Sequence, residues 1–516
     1  MFEALETGKF LAPADFKARE LSLRQELLQA QFDLAGRDYP VIILVAGLPG
    51  AGKGTLVHRL NEWMDPRRIE TSAIWMRSDE EEERPFFWRF WRKLPPRGKT
   101  GIFLGSWYTR PLHDATEGKL GMRDLQLQLE EINGFERMLY DDGALVIKLW
   151  LHVSRETQRR QLDEEAPRLQ QNPRVDAYAG HWWEQYPRAL QTAEQIVLGS
   201  DTGHTPWHLI EAEDRLYREI TGGEIILQAL RERSGRREPA KRQKKKHRDA
   251  PGVRDQPTVL AAVPTHLTLD KHDYQEQLQH YQRQLQDLAW LAHRQRRSLV
   301  AVFEGWDAGG KGSAIRRVTA AIDPRLYRVV QYAAPTDEER AHHYLWRFWR
   351  NLERDGRATI FDRSWYGRVL VERVEDFAAP AAWRRAYHEI NQFEGQLVAH
   401  GCIVVKFWLH ITPEEQLRRF EDRQQKPHKQ YKITEDDWRN RERWDDYAHA
   451  VEDMVTHTST GFAPWTLVAG NDKRYARVQI LRTLSETLTR ALEGEYPVPK
   501  PAAIMSERSH TSAPTL

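Results

Sequence analysis

Residues 303 to 313 read Phe-Glu-Gly-Trp-Asp-Ala-Gly-Gly-Lys-Gly-Ser. Gly305, Gly309, Gly310 and Gly312 surround one lysine, Lys311, and one acid, Asp307. A glycine-rich turn lets successive backbone N–H groups curl around a phosphate, and a lysine inside it adds a full positive charge. The chemistry these residues suit is the binding and transfer of phosphoryl groups. Gly305 to Lys311 fits G-x-x-x-x-G-K, yet Gly312 stands where a serine or threonine usually follows, and Ser313 comes one position later. The hydroxyl that ordinarily reaches Mg2+ is therefore displaced, and Asp307 becomes the candidate metal ligand. Gly305, Gly310, Gly312 and Ser313 are the candidate phosphate-binding residues.

Such a cradle must be positioned by a strand before it and a helix after it. Residues 298 to 303 form an apolar run that reads as a buried strand, and residues 314 to 318 have helical spacing. A second apolar run, Thr359-Ile360-Phe361, leads into Asp362-Arg363-Ser364-Trp365-Tyr366. An acid at a strand end across the sheet from a phosphate loop is where an aspartate reaches Mg2+. Asp362 is thus the second candidate metal ligand, with Arg363 beside it. An ion pair that merely stiffens the strand end is the alternative.

The pattern occurs twice. Val-Ala-Gly-Leu-Pro-Gly-Ala-Gly-Lys-Gly-Thr at 45 to 55 is a second glycine loop, and Lys53 and Lys311 stand 258 positions apart. The same offset pairs Trp-Arg-Phe-Trp-Arg at 88 to 92 with 346 to 350, Ser106-Trp107-Tyr108 with Ser364-Trp365-Tyr366, and Lys148-Leu149-Trp150 with Lys406-Phe407-Trp408. The offset slips between 160 and 200 and returns at Pro206-Trp207 and Pro464-Trp465. The chain is a tandem duplication of one α/β domain, each copy a parallel sheet covered by helices. Active groups are expected at the carboxyl ends of the strands.

The copies differ where chemistry is expected. Asp307, Asp362, Arg363 and Glu304 become Pro49, Leu104, Gly105 and Ala46 in the first copy, which keeps Lys53. Phosphoryl transfer depends on neutralising charge on the moving group. The first domain, 11–230, is therefore expected to be inactive, and the second, 268–490, to be catalytic. Residues shared without chemical logic, such as Trp88, Trp91, Trp346 and Trp349, are expected to pack. In the first helix, near 14 to 36, Leu21, Leu27, Leu28 and Phe32 are the expected buried face.

Composition sets the remaining bounds. The 516 residues suffice for two to four domains, and 77 basic against 75 acidic residues leave net charge uninformative about partners. One cysteine, Cys402, excludes a disulfide framework, fits a reducing cytosol and reads as buried and inert. The first residues lack a signal-peptide pattern, and no apolar run approaches the ~18 residues that span a bilayer. The histidines show no metal spacing, so no zinc site is expected. Residues 234–264 read as a basic linker, a solvated connector rather than a polyanion-binding tether, and 497–516 as a disordered tail.

Taken together, the glycine loop at 303 to 313, Asp362-Arg363-Ser364-Trp365-Tyr366-Gly367-Arg368 and its continuation to 374, Glu389-Ile390-Asn391-Gln392-Phe393-Glu394, and residues 463 to 477 resemble the second polyphosphate kinase family. The resemblance covers nearly all of 268 to 490 and, more weakly, 11 to 230. The tandem form resembles its two-domain branch, which transfers phosphate from polyphosphate to AMP with the carboxyl-terminal copy active. The resemblance implies that Asp307 and Asp362 hold Mg2+ and orient or deprotonate the attacking phosphate, that Lys311 stabilises the moving phosphoryl group, and that Arg363 offsets charge near the donor. It also implies a helical lid. Polyphosphate carries closely spaced negative charge, so its binding needs a basic track. Residues 418 to 432 supply Arg418, Arg419, Arg423, Lys426, Lys429 and Lys432, with Arg441 and Arg443 close by in sequence; Arg423, Lys426, Lys429, Lys432 and Arg441 are the candidate track.

The expected function is transfer of the terminal phosphoryl group of polyphosphate to AMP, giving ADP, by a Mg2+-dependent cytoplasmic enzyme. The expected partners are polyphosphate and AMP/ADP, with no nucleic acid and no membrane, and with homo-oligomerisation, since many members of this family self-associate. The alternatives are a polyphosphate-dependent nucleoside-diphosphate kinase, an ATP-dependent monophosphate kinase, and a non-enzymatic polyphosphate-binding regulator. The choice of AMP rests on the resemblance alone.

Overall fold

A computed structural model describes residues 1–74, 77–169, 184–235, 258–426 and 433–496. The chain divides into two compact units, one of Met1–Met76, Arg89–Arg248 and Arg340–His343, the other of Arg77–Trp88, Asp249–Glu339 and Tyr344–Leu516.

Each unit is built on one five-stranded sheet. In the first, β1 (Val41–Gly47), β2 (Ile69–Ala73), β3 (Thr100–Leu104), β4 (Leu145–His152) and β5 (Trp207–Glu211) lie in the order β2-β3-β1-β4-β5. In the second, β6 (Leu299–Gly305), β7 (Tyr327–Gln331), β8 (Ala358–Asp362), β9 (Ile403–His410) and β10 (Trp465–Ala469) lie in the order β7-β8-β6-β9-β10. Every strand pair is parallel. The duplication holds at the level of register: Val41 pairs with Thr100 in one sheet and Leu299 with Ala358 in the other. The fifth strand of each sheet does not announce itself in the sequence, being short and flanked by polar turns. β1 and β6 are central and almost wholly apolar, as burial on both faces requires.

The first helix, Pro13–Leu34, corrects one expectation. Its buried residues are Phe16, Leu23, Leu27, Gln31 and Leu34, while Leu21 is 64% exposed and Phe32 49%. Positions 16, 23, 27 and 34 recur on one face of a 3.6-residue helix, and Leu21 and Phe32 fall on another. The four tryptophans of the repeated Trp-Arg-Phe-Trp motifs are buried, as expected. Cys402 is buried at the entrance to β9, and burial pushes its thiol up to about 12, so it is a poor nucleophile. Among the described residues no helix is long and apolar enough to cross a membrane.

Both copies enclose the same buried ionic network. Lys406 on β9 and Glu394 on the helix Pro380–His400 are both fully buried and 2.7 Å apart. The three ammonium protons of Lys406 reach Glu394 Oε2, the Tyr366 hydroxyl at 2.8 Å and the Thr458 carbonyl at 2.7 Å. Glu394 Oε1 accepts from Tyr366 Oη at 2.6 Å and from Trp365 Nε1 at 3.0 Å. In the first copy Lys148, Glu136, Tyr108, Trp107 and the Ser200 carbonyl repeat the arrangement. Burial pulls the Lys406 ammonium below its ordinary range, and the Glu394 charge works against that shift. The repeated Ser-Trp-Tyr triplet is thus held by a charge pair inside the protein.

The repeat also reaches residues outside the recognisable sequence similarity. Phe2 is buried and its amide donates to Glu194; Leu260 is buried and its amide donates to Glu452 at 2.9 Å. Of the expected linker, 236–257 lies outside the described residues, as does the expected tail, 497–516.

Removing one member of the buried pair leaves the other charged and unpaired. Glu394→Ala is expected to lower the unfolding free energy by about 3–5 kcal/mol in urea denaturation, and Glu394→Ala with Lys406→Met to recover most of it.

Candidate functional site

The phosphate cradle forms where β6 ends. At Gly305, with φ +146°, an added Cβ would lie 2.6 Å from the Leu409 carbonyl oxygen on β9, so only glycine fits. Gly310, at φ +112°, turns the loop into the helix Lys311–Thr319. Lys311 folds back over the loop, donating to the Gly305 carbonyl at 2.5 Å and to that of Trp306 at 3.4 Å. Gly312 faces open space. The Ser313 hydroxyl is engaged by the Arg477 guanidinium at 2.7 and 3.0 Å. That contact accounts for Ser313 without any metal.

The two candidate carboxylates come from adjacent elements. Asp362, the last residue of β8, is the ladder partner of Phe303 on β6, which places it beside the loop. Its carboxylate accepts no hydrogen bond from the described residues. Asp307 Oδ1 lies 3.4 Å from Arg363 Nη2, and Asp307 Oδ2 accepts from Asn440 Nδ2 at 2.9 Å. Among the described residues no three or more His, Cys, Asp or Glu side chains cluster as a metal site. Two carboxylates beside a phosphate cradle fit a hard divalent cation that takes its other ligands from water and phosphate oxygens.

Two residues of this site hold a left-handed backbone without being glycine: Ala308 at φ +60° and Arg363 at φ +65°. In the first copy the equivalent positions are Gly50, at φ +81°, and Gly105, at φ +77°. The second copy therefore carries local strain of about 1 kcal/mol per residue that the first has relieved.

Several side chains here were not singled out from the sequence as site residues. Glu304 is buried and accepts from the Ser364 amide and hydroxyl at 2.7 and 2.8 Å. Burial raises the Glu304 carboxyl, while Lys311 and Arg363 draw it back. Arg419, on the helix Pro413–Gln425, is 3% exposed and donates to the carbonyls of Ala308, Gly309, Gly470 and Asn471. Held in this way, the Ala308 and Gly309 carbonyls fix the backbone of the loop, within which the Gly309 amide donates to the Trp306 carbonyl at 2.9 Å. Gln416, on the same helix, donates to the Asp307 carbonyl at 3.1 Å. Trp306 stacks on Trp444, with centroids 3.6 Å apart and planes 9° apart, and donates to His410 Nδ1 at 3.1 Å. His410 accepts because burial holds its imidazole neutral, at about 4. The change from Glu304 to Ala46 was one sequence signal, and Arg419 stood in the basic run that begins at Arg418, though as a polyphosphate contact rather than a loop brace; nothing in the spacing marked Asn440 or Trp444.

The candidate basic track is placed in part. Arg423 lies near the end of the helix Pro413–Gln425, and Lys426 pairs with Asp422. Arg441, on the helix Glu435–Glu442, turns toward the start of the helix Pro413–Gln425, donating to the Pro413 carbonyl at 2.7 Å and to Gln416 Oε1 at 3.1 Å. Lys429 and Lys432 lie outside the described residues.

In the first unit Lys53 holds the Gly47 and Leu48 carbonyls, each at 2.7 Å, so the cradle survives. Its arginine comes from another element. Arg218, on the helix Arg215–Gly235, donates to the Ala212 carbonyl and to the Thr55 hydroxyl, while Gln161 stands where Arg419 would be.

A strand, a lysine-bearing glycine loop and a helix, with carboxylates at the carboxyl edge of a parallel sheet, define a P-loop phosphotransferase. The chain belongs to the polyphosphate kinase 2 family, whose model matches residues 11–238 and again 268–495. It is 48% identical over 504 residues to a polyphosphate:AMP phosphotransferase of Pseudomonas aeruginosa, covering 95% of this chain and 99% of that one. A polyphosphate:AMP phosphotransferase of Acinetobacter johnsonii is 36% identical, over 93% of this chain and 98% of its own. The crystal structure of a polyphosphate kinase 2 from Pseudomonas aeruginosa PA01 matches with a TM-score of 0.85 and 46% identity, covering 96% of this chain and all of that one.

Arg419→Met keeps side-chain bulk but strands the loop carbonyls. It is expected to lower kcat/KM at least about tenfold and stability by about 2–4 kcal/mol, read by steady-state kinetics and thermal unfolding.

Proposed function

We propose that the chain transfers the terminal phosphoryl group of polyphosphate to AMP, forming ADP, and that the second unit does the chemistry. The reading is carried by one observation: Asp307, Lys311, Asp362 and Arg363 converge at the carboxyl edge of the second sheet, while the first sheet presents Pro49, Leu104 and Gly105 there. Full-length similarity to polyphosphate:AMP phosphotransferases supports both the donor and the acceptor.

A phosphate oxygen of AMP attacks the terminal phosphorus of the donor in line. The anhydride bond breaks, and its electron pair leaves with the shortened chain. The loop amides and Lys311 bind and orient phosphate oxygens. Arg363, exposed at the rim and 3.4 Å from Asp307, offsets negative charge as the two anions approach. Mg2+, held by Asp307 and Asp362, would neutralise charge on the phosphate oxygens. Arg423, Lys426, Lys429 and Lys432 supply the positive charge for the polyphosphate chain, and Arg441 fastens the helix Pro413–Gln425 through the Pro413 carbonyl and Gln416. The first unit acts as a non-catalytic scaffold, having kept the buried network and lost the carboxylates.

With AMP, polyphosphate and Mg2+, Lys311→Ala is expected to lower ADP formation by at least about a thousandfold and Lys53→Ala by less than about threefold. Equal losses for the two variants, both folded, would refute the division of labour. ADP or GDP outperforming AMP as acceptor would instead favour a diphosphate kinase. Because donor binding neutralises a run of phosphates, kcat/KM for long polyphosphate is expected to fall steeply between about 50 and 300 mM salt.

A further inference from the structure

The turn after β8 must hold Arg363 in a conformation that an L-residue avoids. Its own amide donates to the Phe303 carbonyl at 3.1 Å. The next amide, that of Ser364, and the Ser364 hydroxyl both converge on Glu304 Oε1. Glu304 sits one residue before Gly305, so a single carboxylate joins the strand that carries the phosphate loop to the turn that carries Asp362 and Arg363. Burying a carboxylate is costly, and here two hydrogen bonds and two nearby cations offset the cost.

The first copy shows what happens without it. Ala46 replaces Glu304, and Ser106, equivalent to Ser364, turns its amide to Thr109 Oγ1 at 2.8 Å. The left-handed position is then glycine, and a Cβ on Gly105 would lie 2.5 Å from the Ile74 carbonyl oxygen. Losses of the clamp, of the strained arginine and of the strand-end acid therefore occur together on an otherwise repeated framework.

We infer that Glu304 is a positioning residue: by clamping the Ser364 amide and hydroxyl it fixes Arg363 in its left-handed conformation and directs the guanidinium toward Asp307. The inference rests on the role given to Arg363 above. It assigns Glu304 no contact with substrate; its effect passes through the turn.

A double-mutant cycle on the full-length chain tests this, with kcat and KM for AMP measured beside thermal unfolding. Glu304→Ala is expected to lower kcat about a hundredfold with KM changed less than about threefold, and Glu304→Asp, which withdraws the acceptor by one methylene, about tenfold. Glu304→Gln, whose amide oxygen still accepts from Ser364, is expected to stay within about fivefold of the parent. In an Arg363→Ala background neither Glu304→Ala nor Glu304→Asp should lower kcat further. If the losses multiply instead, Glu304 acts independently of Arg363 and the inference fails. Should Glu304→Ala not fold, the Glu304→Asp cycle makes the same distinction between coupled and independent action. Parent-like kcat in Arg363→Ala alone would overturn the site assignment, and the clamp with it.

Discussion

The Lys406–Glu394 pair is the interaction on which the rest of the second unit depends. A charge pair with no access to water persists only if every donor and acceptor is met, and here the lysine spends all three protons inside the protein. Meeting that condition ties β9 to the helix behind the sheet and to Trp365 and Tyr366. Those residues follow Arg363 closely, so the demands of a buried charge locate the turn that carries the candidate site. The same network in the first unit explains why the Ser-Trp-Tyr triplet, the glutamate and the lysine recur in both copies.

Against that common framework, the differences between the copies are local. The first keeps a lysine over its glycine loop and replaces Glu304, Asp307 and Asp362 by Ala46, Pro49 and Leu104. It also relaxes two left-handed positions to glycine. Ala308 and Arg363 retain their strain in the second copy, where neighbouring hydrogen bonds over-determine the backbone. Strain without such support would be removed by ordinary substitution, as Gly50 and Gly105 illustrate.

The helices following β9 are part of the site as well as its cover. Gln416 and Asn440 both bond Asp307, Arg419 holds the loop carbonyls, and Trp444 stacks on Trp306. The loop is therefore shaped from two sides, by the sheet and by the base that these helices form. Arg441 illustrates the consequence: a residue selected for its charge serves to fasten this base.

The amino-acid sequence by itself determined the duplication, the parallel α/β architecture, the glycine cradle with Lys311, and Asp307, Asp362 and Arg363 as the groups that distinguish the copies. These were legible because they depend on short-range spacing and on a repeat at constant offset. Only the tertiary structure decided which face of the first helix is buried, that a fifth strand closes each sheet, and that the repeat reaches Phe2 and Leu260. It alone also showed Glu304 clamping Ser364 and Arg419 bracing the loop from more than a hundred residues away. Such contacts join strands and helices far apart in the chain, and a single sequence carries no periodicity or spacing that encodes them. Their geometry exists only once the sheet has brought the strand ends together.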